Sequence, residues 1–204
     1  MRYTGPKVRR SRRAGVALTR KAERIMERRP QPPGQHGAGR RPPKQSDYGR
    51  QLAEKQRVRW YYDLTERQLR TTYDKARRRP GRVGENVIAA LESRLATVVL
   101  RAGFAASIYA ARQFVNHGHV TVDGAKVDIA SYVVRPGQTV AIRERSHGMP
   151  AFVAAKEGQY ADERYAAYLD VHREELAVTL LREARRAEVP VPFDEQLLVE
   201  FYSR

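Results

Sequence analysis

Apolar residues recur with a helical period through most of this chain and with a strand period through one short stretch. Ser46 and Asp47 can cap a helix running to about Tyr62. Thr65, with Gln68 three residues on, forms a capping box that opens a second helix. Leu69, Tyr73 and Ala76 share one face of it, and Arg77-Arg78-Arg79 precede a Pro80-Gly81 stop. From about Glu85 to Ala102, seven apolar residues from Val87 to Ala102 recur at spacings of three and four, which predicts one long helix ended by Gly103. Ser107 then caps a helix over about Ile108 to Asn116, closed by Gly118, so the pair reads as a helix-turn-helix-like unit.

After Gly118 the period falls to two. Val120 and Val122 alternate with polar neighbours, and Asp123-Gly124 predicts a tight hairpin followed by Val127. Tyr132 to Val134 and Thr139 to Arg143 read as further strands around the turn Arg135-Pro136-Gly137-Gln138. Tyr168–Val171 and Leu176–Leu181 fit strand or helix equally well. Asp194 caps a final short helix that buries Leu197, Leu198 and Phe201. Residues 1–45 carry none of this order. They hold Pro6, Pro30, Pro32, Pro33, Pro42 and Pro43, and only Thr19 to Arg28 reads as a short helix. The rest of that segment is expected to stay disordered until a partner orders it, because it has little apolar surface to offset chain entropy.

The 204 residues suit one or two domains, and 41% hydrophobic residues suffice for a core. No cysteine occurs, so disulfides, thiol catalysis and Cys-ligated zinc are excluded. The apolar runs are far shorter than the roughly 20 residues of a membrane span, and the first residues do not read as a signal peptide.

Charge changes the picture most. The net charge is +16, of which residues 1–45 carry +12, while residues 156–204 carry −4. Basic side chains concentrate where phosphates are met, so the N-terminal segment is the first expected contact with a polyanion. Its arginines are bunched: Arg9, Arg10, Arg12 and Arg13, then Arg28 and Arg29, then Arg40 and Arg41. The acidic final quarter is expected to face away from phosphate, as a solvated face or as the seat of a basic protein.

Catalytic chemistry is missing. His117 and His119 flank Gly118 without the spacing or further ligands of a zinc site. Gly34-Gln35-His36-Gly37 is no phosphate loop, and no nucleophile elbow occurs. No enzyme activity, metal, cofactor, small-molecule substrate or membrane partner is expected.

Several stretches carry a resemblance. They are RYTGPK at 2–7, ERRPQPPGQHG at 27–37, SDYGRQLAEKQR at 46–57, the segment from GENVIAALESRL through ARQFVNHGH at 84–119 with VTVDGAKV after it, and EQLLVEFYSR at the end. Together these are similar to the S-four family of bacterial small-subunit ribosomal proteins, over nearly the whole chain and most weakly from about Ser146 to Pro190. The ARQ-x-V-x-HGH portion is shared with a wider RNA-binding module that some pseudouridine synthases and tRNA synthetases also carry. Those enzymes need a large catalytic domain, for which this chain has no room.

The resemblance implies an α+β protein in three parts: a basic extended arm over 1–45, a mainly helical domain from 46–91 with about 156–204, and an inserted module over 92–155 made of two helices and a small antiparallel sheet. It implies binding to the 5′ domain of small-subunit ribosomal RNA, early subunit assembly, a share in translational accuracy, contacts with ribosomal proteins S-five and S-twelve, and a cytoplasmic place in the small subunit. A free-standing RNA-binding regulator of mRNA translation is the alternative. The expected RNA-facing residues are Arg94, Ser107, Tyr109, Arg112, Gln113, His117, His119 and Lys126 in the module. In the arm and the start of the helical domain they are Arg2, Tyr3, Lys7, Arg9, Arg10, Arg12, Arg13, His36, Arg40, Arg41, Tyr48 and Arg50. Arg112 is expected to project from its helix toward a phosphate, with Gln113 beside it reaching a 2′-hydroxyl. Relative to the family, Ala96 stands where Asp is common, Ile108 and Tyr109 where basic residues are common, and Asp123 where Asn is usual.

Overall fold

The computed structural model describes residues 3–35, 37, 46–161, 166–190 and 193–204. Among them are the helices α1 (Lys7–Ala14), α2 (Arg20–Arg28), α3 (Asp47–Tyr61), α4 (Glu66–Arg77), α5 (Val83–Glu92), α6 (Leu95–Arg101), α7 (Ile108–Asn116), α8 (Pro150–Lys156) and α9 (Glu195–Ser203). The strands are β1 (Val120–Val122), β2 (Ala125–Lys126), β3 (Thr139–Ile142), β4 (Leu169–His172) and β5 (Ala177–Leu180). The chain is α+β and separates into two compact units, 1–84 with 191–204 and 85–190. Residues 156–190 therefore cluster with the sheet-bearing unit, not with the helical one as the sequence suggested. The reason is that β4 and β5 are strands of the same sheet as β1 to β3.

The first unit is helical. Its caps are the ones the sequence offers: Ser46 Oγ accepts from Gly49 N–H, Thr65 and Gln68 close a reciprocal capping box, and Asp194 accepts from Gln196 N–H. α9 packs on α3 and α4, and Val58, Leu69, Tyr73, Leu198 and Tyr202 are buried there. Tyr202 stacks on Tyr73 at 5.0 Å and donates its hydroxyl proton to Glu66 at 2.8 Å. Glu66 also accepts from Lys55 at 3.0 Å and Arg59 at 3.2 Å. Burial pushes its carboxyl group up, but the three donors together hold it below the usual carboxylate range.

The basic N-terminal segment has more structure than expected. Lys7–Ala14 is a helix although it is almost all basic and polar. Small residues make its inward face: Ser11 and Ala14 are buried, with Leu18 and Ala22 beyond. Ser11 Oγ accepts from Leu18 N–H at 3.2 Å, and Gly15 ends the helix at φ +68°. α1 packs on α2 and on α3, where Arg57 Nε donates to the Ala14 carbonyl at 2.7 Å. Residues 7–28 thus form a pair of packed helices, where the sequence offered only the short helix over Thr19 to Arg28.

The second unit corrects another expectation. The long helix over 85–102 is broken at Ser93-Arg94, where Arg94 is extended at φ −72°, ψ 136°. The break frees backbone for long-range pairing. Val134 N–H donates to Ser93 C=O at 2.8 Å, and Leu95 N–H donates to Tyr132 C=O at 2.8 Å. Tyr132 to Val134 accordingly forms no ladder, only the single bridge Arg94 to Val133. The sheet is antiparallel in the order β2-β1-β3-β5-β4. Val120, Val122, Val140, Ile142, Val178 and Leu180 point to its buried face. The same unit buries Leu95, Val98, Val99, Phe104, Val115 and Phe152, each adding roughly 1.5–3 kcal/mol on burial.

The hairpin forms as predicted, with Asp123 at φ 49° and Gly124 at φ 79°. Asp123 also has a use for its charge. Its carboxylate accepts from Thr139 N–H at 2.9 Å and from Gln138 Nε2 at 2.7 Å, tying the turn to β3. At the end of α5, Glu92 is 1% exposed and held by Arg101 through two bonds of 2.9 and 2.8 Å. Tyr168 donates to the same carboxylate at 2.8 Å, and burial followed by that negative charge drives its hydroxyl well above the usual tyrosine range.

Candidate nucleic-acid interface

In the second unit, one edge gathers polar and basic groups around the end of α7. Ser107 Oγ accepts from Ala110 N–H at 3.3 Å and so fixes where α7 begins. Two turns later Gln113, Asn116 and His117 are exposed, and Gly118 turns the chain at φ +72° into β1. A Cβ at Gly118 would lie 2.5 Å from Lys126 Cε, so glycine lets the Lys126 stem cross the turn and carry its ammonium to this edge. His119 is half-buried between Phe114 and Phe152, with Nδ1 3.0 Å from Ser146 Oγ. Its pKa is pushed down, first by burial and then by the positive charges of His117, Arg145 and Arg143. Arg143 also donates to the Gly118 carbonyl at 3.3 Å.

Arg143 and Arg145 are thus members of this edge that the sequence reading missed. The signal was available: β3 ends at Ile142, and basic residues just past a strand end project where the strand points. A concentration of like charge that depresses a histidine is electrostatically unfavourable until an anion is bound.

Three module residues sit otherwise than expected. Arg112 is 7% exposed, because Ile108, Ala111, Arg112 and Val115 form the buried stripe of α7. It supports the helix that carries Gln113 and His117 and does not reach out itself. Arg112→Ala should therefore cost about 1–3 kcal/mol of stability through lost packing of its stem, seen as a lower Tm, with the salt dependence of RNA binding unchanged. Tyr109 is half-buried and its hydroxyl is shielded from solvent, which suits packing and not base stacking. Arg94 is half-buried at the helix break.

In the first unit, α1 spreads its arginines by role. Arg9 and Arg13, four residues apart, are exposed on one face. Arg10 lies 3.7 Å from the Tyr3 ring centroid and 5.5 Å from that of Trp60, a stacked cation that joins residue 3 to α3. Lys7 donates to the Tyr3 carbonyl, and Arg12 to the carbonyls of Gln31 and Pro32. Arg10, Arg12 and Lys7 thus hold the basic segment together as well as charging it. Tyr48 is half-exposed against Phe201, and Arg50 pairs with Asp47. Arg77 and Arg78 are exposed at the end of α4. Arg2, His36, Arg40 and Arg41 lie outside the described residues.

Among the described residues, no group of His, Asp or Glu is placed to hold a metal ion, and no helix is long and apolar enough to cross a membrane. What the two faces offer is cationic, hydrogen-bonding surface on rigid elements.

Comparison with known proteins agrees with that chemistry. Residues 2–92 match the family described as ribosomal protein S4/S9 N-terminal domain, and residues 93–140 match the S4 domain. A small ribosomal subunit protein uS4 from Thermobifida fusca (strain YX) is 61% identical over 204 residues, all of both chains. The protein of that name from Streptomyces griseus is 49% identical over 200 residues, 98% of this chain and 97% of its own. That from Bacillus cereus (strain Q1) is 48% identical over 203 residues, 100% of this chain and 99% of its own. With its family domains matched in order and its relatives matched from end to end, this chain belongs to the ribosomal protein uS4 family.

Proposed function

We propose that the chain is a structural, non-catalytic constituent of the small ribosomal subunit that binds the 5′ domain of 16S ribosomal RNA. It would help to nucleate assembly of the subunit body and contribute to translational accuracy, in contact with the proteins S-five and S-twelve, in the cytoplasm. The observation that carries this reading is the full-length likeness to proteins named small ribosomal subunit protein uS4. The two cationic faces support it physically. Gln113, His117, His119 and Lys126 would meet RNA with Arg143 and Arg145, and Arg9 and Arg13 would meet it on α1. A double-helical RNA shows a shallow minor groove and phosphates, so shape and charge readout is expected of such faces. Sedimentation of a cell extract in high salt tests the reading. The chain should remain with small subunits; migration free of them would favour an mRNA-binding regulator.

The depressed His119 adds a pH dependence. RNA phosphate opposes the like charges that lower its pKa, so binding should raise that pKa and take up a proton. Affinity for ribosomal RNA should then rise as the pH falls from about 7 downward, and His119→Gln should flatten that slope. The free protein should respond in the opposite sense. A folded-state pKa below the unfolded one means the unfolded chain binds more protons, so this contribution to stability holds above the ordinary histidine value of 6.5 and is lost as the pH falls below it.

A further inference from the structure

We infer that a cleft between α1 and α3 of the first unit receives a single unpaired nucleotide of the bound RNA. The inference rests on the RNA-binding reading above and adds a defined pocket to it. The cleft has a volume of about 500 Å³ and is lined by Arg13 from α1 and by Gly49, Gln56, Arg57, Arg59 and Trp60 from α3. That size suits a nucleotide, since small-molecule sites span roughly 300–1,000 Å³. Its mouth is cationic. Arg13 is exposed, while Arg57 and Arg59 are held in place by Glu54 and Glu66.

Two polar atoms in the cleft wall are unusual. Gln56 Oε1 and Trp60 Nε1 are both buried, and neither has a hydrogen-bond partner among the described residues. Buried polar atoms left without partners are costly and rare. Here one is an acceptor and the other a donor, and they sit four residues apart, one turn of α3 from each other. The edge of a nucleobase carries donors and acceptors side by side, so one base could satisfy both atoms once the two side chains turn toward it. A base in a duplex has that edge occupied, whereas an unpaired base can be splayed out and set against aromatic and guanidinium groups. The phosphates on either side of it would then fall on the arginines at the mouth.

Trp60 is the only tryptophan of the chain, so its fluorescence reports on the wall of this cleft and on the Arg10 guanidinium beside it. The full-length protein is titrated with a short fluorescently labelled oligoribonucleotide, single-stranded or annealed to its complement, while binding is followed independently by the anisotropy of the label. The single strand should quench Trp60 as it binds, and the duplex should bind with little quenching. Gln56→Ala should weaken the quenching titration about five- to tenfold with the far-UV circular dichroism unchanged. Arg13→Ala, on an exposed helix position, should weaken it too and lower the salt slope by about one. Binding of the single strand with Trp60 unquenched overturns the inference and leaves the RNA-binding reading intact. Quenching by free GMP as strong as by the strand also overturns it, since the cleft would then serve a small molecule. Absence of binding by either RNA overturns both readings.

Discussion

Glu92→Ala should melt the sheet-bearing unit far below the parent chain. The substitution removes the acceptor of two Arg101 hydrogen bonds and of the Tyr168 hydroxyl, and leaves a guanidinium only 8% exposed without its carboxylate. Breaking a buried ion pair from one side costs about 3–5 kcal/mol, because the remaining charge stays desolvated. For a unit of this size that is a fall in Tm of roughly 10–30 °C, readable by calorimetry. The contrast is the double variant Glu92→Met with Arg101→Met. Replacing both charges with apolar groups of similar volume should restore most of the loss. A single variant as stable as the parent would show that the pair contributes nothing.

The second large effect is on affinity. With 39 Lys and Arg against 23 Asp and Glu, and exposed arginines on two faces, the protein should neutralise about six to ten phosphates. Its affinity for ribosomal RNA should then fall on the order of a thousandfold or more between about 50 and 200 mM salt. Filter binding or anisotropy across that range gives the slope directly. A flat dependence would mean that apolar or base-specific contacts dominate, and the arginine faces would need another explanation. A chelator should leave the curve unchanged.

How far the sequence could be read depended on whether a feature was local. Each helix cap depends on residues within four of one another, and Ser46, Thr65, Ser107 and Asp194 all cap as read. The hairpin at Asp123-Gly124 is equally local. The break at Ser93-Arg94 is not. Its apolar period runs straight through, and only the backbone of residues 130 to 134, more than thirty residues on, makes the interruption worthwhile. The strands β4 and β5 are short apolar runs whose type is settled by β3, about forty residues earlier.

The sites show the same division. The uneven charge pointed to α1, but its helix is held by Ser11 and Ala14, which no apolar period marks. Arg112 was legible and misjudged: it falls in the i, i+3, i+4, i+7 stripe with Ile108, Ala111 and Val115, so its own helix turns it inward. The α1–α3 cleft left no trace in sequence, because its walls come from segments some forty residues apart.

The position of α9 bears on the order in which the protein is made. The helical unit opens with α1 to α4, yet Tyr73 gains its stacking partner Tyr202 only when α9 arrives from beyond residue 190. A chain emerging from its N-terminal end therefore carries that half-built core through the whole synthesis of residues 85–190. The intervening unit can build its sheet meanwhile, since all five strands come from that span. The first unit to be started is thus the last to close, and a chain interrupted before Asp194 would present bare tyrosine surface to chaperones and proteases, even with its sheet complete.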